Sequence, residues 1–379
     1  MTVIHSARLV TESSIVPDSW VRFDADRIVA RGTGDGWRAA GDGEVVDAGE
    51  RLLAPGFIDL HGHGGGGAAF DDGEEAIERA LATHRAHGTT RSVLSFVTAG
   101  IDDLAARLGS VRAVAGRDPL VLGAHLEGPF LDLDHKGAHD PGLLRDATPA
   151  DVDALLAAAD GSLVQITLAP EKPGALDAIR RFVDAGVRVA VGHTAADYDE
   201  TLAAFDAGAS ILTHAFNAMD GIRHRAPGPI VAAMRTPQVT LEIINDGVHV
   251  HPDVVRMAFD AAPGRVALIT DAMAAAGAPD GDYMLGPLAV RVADGIARLA
   301  EGDSIAGSTL TLDRALQQAV GACGIPLVDA IAALTVVPAR ALGREGELGS
   351  LAEGAAADAL LLDDDLEVRG AWGAGRRIA

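Results

Sequence analysis

Cysteine is nearly absent: the 379-residue chain has one, Cys323, so no internal disulfide can form. Its apolar setting, Val320 to Ile325, reads as a buried structural thiol rather than a nucleophile. Aromatic residues are scarce at 4%, yet 48% of residues are hydrophobic and dominated by Ala, Val and Leu, which suits a packed α/β interior and excludes a disordered chain. Positive charge is also short. A net charge of -23 argues against nucleic acid as a partner and reads as a solvated acidic surface, with a small anionic substrate possible only where cations gather locally. No uncharged apolar run reaches the ~18 residues needed to span a bilayer, so no membrane partner is expected. The start, Met1 to Ser6, lacks a basic stretch followed by an apolar one, so no signal peptide is expected and the protein is placed in the cytoplasm.

What is present is a rhythm. Eight apolar segments, 56–60, 91–96, 121–126, 163–168, 187–191, 210–213, 239–244 and 266–270, read as parallel strands covered by helices. Between them lie helix-like segments. One runs from Glu74 to Ala82, and another opens on a Thr148 cap with Pro149 in its first turn. Gly186 and Gly208 close two others. Both ends of the chain instead read as short strands and turns. The expectation is a (β/α)8 TIM-like barrel over 54–335, with a small β-sandwich domain built from 1–53 and 336–379.

The chemistry-bearing residues stand at the carboxyl ends of these strands. His61 and His63 put two imidazoles on one face of an extended segment. Glu127 ends the third strand, His193 the fifth and His214 the sixth. Ligands so distant in sequence can meet only if the strands lie parallel around one site, as they do at the C-terminal face of a barrel. Glu127, His193 and His214 make the two-nitrogen, one-oxygen set of an open catalytic zinc site. Asp271, after the last strand, is placed to take a proton from an activated water and return it to a leaving amine. His125 shares a strand face with Glu127 and is read equally as a ligand or a hydrogen-bonded core residue. Ile222-Arg223-His224-Arg225 is a basic cluster in an acidic protein, and Arg suits bidentate phosphate contact.

The finer motifs carry a resemblance. Pro55 to His63, His125 to Phe130, Lys136 to His139, Gly192 to Thr194, Thr213 to Met219, Arg225 to Gly228, Asp246 to His249 and Ile305 to Ser308 run in order along the chain. Together they resemble the amidohydrolase superfamily and, within it, the N-acetylglucosamine-6-phosphate deacetylases, over essentially the whole length. The resemblance implies a metal-dependent hydrolase that releases acetate from N-acetylglucosamine 6-phosphate to leave glucosamine 6-phosphate. It implies Glu127, His193 and His214 as metal ligands and Asp271 as the acid–base residue. It implies that Asn217, the Ala218 backbone, Arg225 and His249 bind the sugar phosphate, and that Ala138, His139, Ala306, Gly307 and Ser308 line the sugar pocket. In this family Arg and His at the positions of Arg225 and His249 reach across a dimer interface, which implies a homodimer.

One departure matters. Some family members have Gln and Asn where this chain has His61 and His63, and those bind one metal; the paired histidines here can hold a second. The fourth strand ends in Ala169-Pro170-Glu171, with no lysine to be carboxylated and bridge two ions. One or two divalent ions per subunit are therefore expected, zinc first, with Fe, Co and Mn accepting the same ligands. The alternatives are another amidohydrolase acting on a related N-acyl amino sugar or cyclic amide, and a non-catalytic binding protein on the same scaffold.

Overall fold

A computed structural model describes residues 1–39, 43–302 and 304–379. Its centre is a ring of eight parallel strands: β1 (Phe57–Asp59), β2 (Thr89–Phe96), β3 (Val121–Glu127), β4 (Leu163–Leu168), β5 (Arg188–Val191), β6 (Ile211–Leu212), β7 (Thr240–Ile244) and β8 (Val266–Ile269). Each pairs with its sequence neighbour from β1 through β8. At the seam, Asp271 N donates to His61 O at 2.8 Å above. Below, Ile58 N and Leu268 N donate to the carbonyls of Leu334 and Ala333.

Helices α1 (Glu74–Ala86), α2 (Ile101–Ala115), α3 (Pro149–Ala159), α4 (Ala175–Asp184), α5 (Tyr198–Asp206), α6 (Gly228–Arg235), α7 (Pro252–Ala261) and α8 (Leu312–Gly321) cover the ring. Their ends follow local chemistry. The Thr148 hydroxyl caps α3 by accepting from Asp151 N. Asp197 and Glu200 form a reciprocal capping box on α5. Gly186 and Gly208 stand just past α4 and α5 at φ +83° and +114°, values that glycine adopts without a Cβ clash.

The barrel interior is split by height. Ile58, Val93, Ala190, Ile211, Ala267 and the segment around Val336–Ala339 fill its lower part with apolar side chains. Toward the carboxyl ends the inward residues turn polar: Ser95, His125, Gln165, Thr167, Thr213 and Glu242 are all fully buried. Buried polar groups need partners, and these bond among themselves and to the site above.

The chain ends form one eight-stranded mixed sheet, in which the strand Leu52–Pro55 pairs antiparallel with Ala359–Leu362 and parallel with Thr2–Val10. Its own core includes Ile4, Val21, Phe23, Leu53, Leu361 and Trp372. A bidentate pair, Arg91 with Asp358 at 2.7 and 3.1 Å, ties it to β2. A further antiparallel sheet, Gly281–Leu285, Leu288–Ala293 and Ile296–Leu299, follows β8 and was not foreseen from the sequence. Its Leu285, Val290 and Val292 pack on Val97 and Met273 beside the cavity described next. No helix among the described residues is long and apolar enough to cross a membrane.

Candidate metal centre

The strand ends deliver their ligands to one point. Glu127 Oε1 lies 3.0 Å from His193 Nε2 and 3.1 Å from His214 Nε2, and those two nitrogens are 3.0 Å apart. Tetrahedral ligands about 2.0–2.2 Å from zinc stand about 3.3–3.6 Å from one another, so this triangle needs only a slight opening to seat an ion. On the other side, Glu127 Oε2 is 3.3 Å from His63 Nε2, and Glu127 Oε1 is 3.4 Å from His61 Nε2. The two imidazoles are 3.2 Å apart. Asp271 Oδ1 stands 3.2 Å from His63 Nε2 and 3.5 Å from His61 Nε2. Glu127 thus lies between two ligand groups, and mixed imidazole and carboxylate donors at this spacing fit a divalent cation on either side.

Backbone geometry contributes. His193, His214 and Asp271 take positive φ, at +48°, +25° and +47°, immediately past their strands. Non-glycine residues adopt this region only when the surroundings impose it, commonly at functional sites. Between the two leading histidines, a Cβ at Gly62 would come within 2.9 Å of Thr270 Oγ1, so glycine is needed for the loop to lie against β8. Asp59, buried beneath this loop, accepts from Thr270 Oγ1 at 2.6 Å and from His61 N at 3.2 Å.

The charges hold one another. Burial alone would raise the Glu127 carboxyl, but His61, a hydrogen bond from His139 and the neighbouring His193 ring keep it well below the usual carboxylate range. Asp271, also raised by burial, ends below its ordinary value because of His61 and His63. Burial pulls His63 down, but Asp271 and Glu127 outweigh it and lift it to about 9. A pocket that collects positive charge this strongly matches the demand of a cation.

His139 stands where its tautomer decides its use. Its Nε2 is 3.3 Å from Glu127 Oε2, within reach of the ligand group. Its Nδ1, however, accepts from Thr98 N at 3.2 Å, so the neutral ring carries its proton on Nε2. Burial lowers it to about 4, which keeps it neutral. His139 is therefore a hydrogen-bond donor facing the cavity. His193 is the reverse: Nδ1 donates to His135 O at 2.9 Å, leaving the Nε2 lone pair for the centre. His125 resolves as a core residue, bonded to Ser95 Oγ at 2.9 Å and Thr167 Oγ1 at 2.8 Å.

The centre opens into a cavity of about 640 Å³. Of the expected pocket residues, Ala138, His139, Asn217, Ala218, His249 and Gly307 line it. His249 is held by Asp246, whose Oδ2 accepts from Nδ1 at 2.7 Å. Two others lie beside the cavity but turn away: Ala306 is packed in the apolar cluster under the added sheet, and the Ser308 hydroxyl donates to Thr270 O at 2.6 Å. Arg225 is exposed on the 220–227 loop and does not line this cavity. A larger cavity of about 960 Å³ lies between the terminal sheet and α1 and α2; among its charged groups Arg85 pairs with Asp118 and Arg117 with Glu78, and no metal-ligand set among the described residues converges there.

Sequence reasoning missed Glu242. It sits wholly buried in β7, accepts from Gln165 Nε2 at 2.9 Å and faces His61 Nδ1 at 3.3 Å. The available signal was a lone carboxylate inside the apolar run 239–244.

Comparison with known proteins agrees with this geometry. The amidohydrolase family profile matches residues 52–377. An N-acetylgalactosamine-6-phosphate deacetylase of Escherichia coli O157:H7 is 40% identical, with 98% of this chain and 97% of the relative aligned. An N-acetylglucosamine-6-phosphate deacetylase of Vibrio furnissii is 36% identical over 91% of this chain and 86% of the relative. The Mycobacterium smegmatis N-acetyl-D-glucosamine-6-phosphate deacetylase, solved as an aspartate-to-alanine variant with N-acetyl-D-glucosamine-6-phosphate, superposes with a TM-score of 0.94 at 43% identity, covering 100% of this chain and 99% of that one. With a shared fold, near-complete coverage and a converging imidazole–carboxylate centre, the chain belongs to the amidohydrolase family, among the relatives of the N-acetyl amino-sugar-6-phosphate deacetylases.

Proposed function

We propose that this protein hydrolyses the acetamide of N-acetylglucosamine 6-phosphate, giving glucosamine 6-phosphate and acetate. The observation that carries the reading is the 3.0–3.1 Å triangle of Glu127, His193 and His214 at the floor of a sugar-sized cavity, with Asp271 beside it. Glu127, His193 and His214 would hold one divalent ion, zinc by ligand type, and His61 and His63 with the shared Glu127 a second. The ion, when bound, polarises the amide carbonyl and acidifies water.

The protein's own groups do the rest. Asp271 accepts the water proton as hydroxide adds to the carbonyl carbon. The His139 Nε2–H donates to the oxygen on which charge develops. Asp271 then returns the proton to nitrogen, the C–N bond breaks, and the amine and acetate separate. Asn217, the Ala218 backbone and His249 orient the sugar phosphate. Arg225, outside its own cavity, would complete the phosphate site of a partner in a homodimer. Exposed Ile222 and Val248, at 46% and 41%, lie near Arg225 and His249 in sequence and would be covered there. We read the location as cytoplasmic.

A second reading follows from the 40% identical relative, whose substrate is the galactosamine epimer. Acetate release from N-acetylglucosamine, N-acetylgalactosamine and N-acetylmannosamine 6-phosphates and their unphosphorylated forms decides between them. The highest kcat/KM on the gluco compound, with strong phosphate dependence, supports the proposal. Indifference to phosphate overturns it, and preference for the galacto epimer selects the second reading.

A further inference from the structure

Glu242 is a carboxylate with no solvent, and a buried carboxylate persists only where something receives it. Two groups do. Gln165 Nε2 donates to Oε1 at 2.9 Å, and His61 Nδ1 faces Oε2 at 3.3 Å. The far nitrogen of His61 points up into the centre, 3.2 Å from His63 Nε2 and 3.4 Å from Glu127 Oε1. An imidazole that donates its Nδ1 proton presents a lone pair at Nε2. The edge of His125, its centroid 4.5 Å away and its nitrogens committed to Ser95 and Thr167, packs against the same ring.

The neighbouring ligands differ. His193 is oriented by a main-chain carbonyl, while the Nδ1 atoms of His63 and His214 have no hydrogen-bond partner among the described residues. Among the described residues, His61 is the one of these four whose Nδ1 has a carboxylate within bonding reach, on the side of the centre that separates a two-ion from a one-ion site.

We infer that Glu242, held by Gln165, is a positioning residue: it selects the tautomer of His61 that can ligate and so builds the second cation subsite of His61, His63 and Glu127. This rests on the two-ion reading given above. Outer partners of metal-bound histidines typically govern affinity by about 10–100-fold. Glu242 touches neither substrate nor the first subsite, so its effect falls on one ion only.

The test is Co²⁺ titration of metal-depleted full-length protein, followed by visible absorption and by bound metal after gel filtration. Wild type is expected to take two ions. Glu242→Gln keeps the shape and is expected to weaken one site by about 10–100-fold while the other stays within about twofold. His61→Asn is expected to remove the same site, with Glu242→Gln adding nothing further in the double variant. Gln165→Met, which leaves Glu242 in place but unheld, is expected to give a smaller loss at that site and serves if Glu242→Gln fails to fold. Two ions bound with wild-type affinity in both Glu242→Gln and Gln165→Met overturn the role of Glu242 alone. A single ion in wild type overturns the two-ion reading, and this inference with it.

Discussion

Glu127 and His214 are separated by 87 residues, yet Glu127 Oε1 and His214 Nε2 lie 3.1 Å apart. Glu127 also reaches His61, His63, His139 and His193, so one carboxylate joins both halves of the centre. Glu127→Gln is expected to cost metal retention more than the ~10–100-fold typical of an outer-sphere change. Metal content after dialysis measures it, and a fully loaded Glu127→Gln protein would refute the bridging role.

Asp271 is the acid–base residue in the proposed reaction. Asp271→Asn keeps its size and is expected to lower kcat by about 10²–10⁴-fold. The ion proposed for Glu127, His193 and His214 is expected to remain. Acetate release and metal content, measured on the same preparation, check both halves, and near-normal turnover rejects the assignment.

Arg225 is exposed and does not line the cavity, and in the proposed homodimer it serves the partner's site. Removing a charged hydrogen bond of about 1.5–3 kcal/mol should raise KM for the phosphorylated sugar by about 10–150-fold in Arg225→Ala, with little change for an unphosphorylated one. Mixing Arg225→Ala with Asp271→Asn subunits should recover activity, because one site of a mixed dimer is then intact. Absence of recovery in confirmed mixed dimers would place Arg225 outside the partner's site.

Metal removal should destabilise the fold. Each ion binding only the folded state adds about 2.7 kcal/mol at a hundredfold excess over Kd. Calorimetry after chelation is expected to show a lower Tm that rises again with added Zn²⁺. An unchanged Tm would argue against an ion at the centre.

A pH effect is expected across the seam of the helix ring, where His87, after α1, bonds Asp313 of α8 at 2.8 Å. The bond raises His87 above its ordinary value. Burial would raise Asp313, but His87 and Thr311 hold it below the usual range. The His87 share of stability is full below ~6.5 and fades as pH rises through the raised value; the Asp313 share is full above ~3.9 and fades as pH falls. The pair thus contributes most between those limits. The His87 side chain is 37% exposed, so the amount is at most about 1 kcal/mol. Urea unfolding of His87→Gln across pH 5–9 should show a smaller deficit at high pH. A deficit independent of pH would rule out the charged pair.

Much of the site was legible because strand ends announce themselves. His61, His63, Glu127, His193, His214 and Asp271 each terminate an apolar run, and a ring of parallel strands brings such ends together whatever the loops do. His125 was ambiguous, and the donor role of His139 could not be read beyond a place in the sugar pocket, for one physical reason. An imidazole is a ligand, a donor or a core residue according to what its other nitrogen meets, and Thr98 N, Ser95 Oγ and Thr167 Oγ1 come from distant strands and loops. Glu242 escaped notice because its partners, Gln165 and His61, are 77 and 181 residues away.

Local order along the chain determined the alternation of strand and helix, the helix caps at Thr148 and Asp197, and the set of groups available for chemistry. Tertiary structure alone decided the left-handed turns at His193, His214 and Asp271, the added sheet that walls the cavity, and the tautomer each histidine presents. Periodicity and capping act over a few residues and can be read from neighbours. Proton position and ligand spacing depend on atoms that become neighbours only when the ring closes.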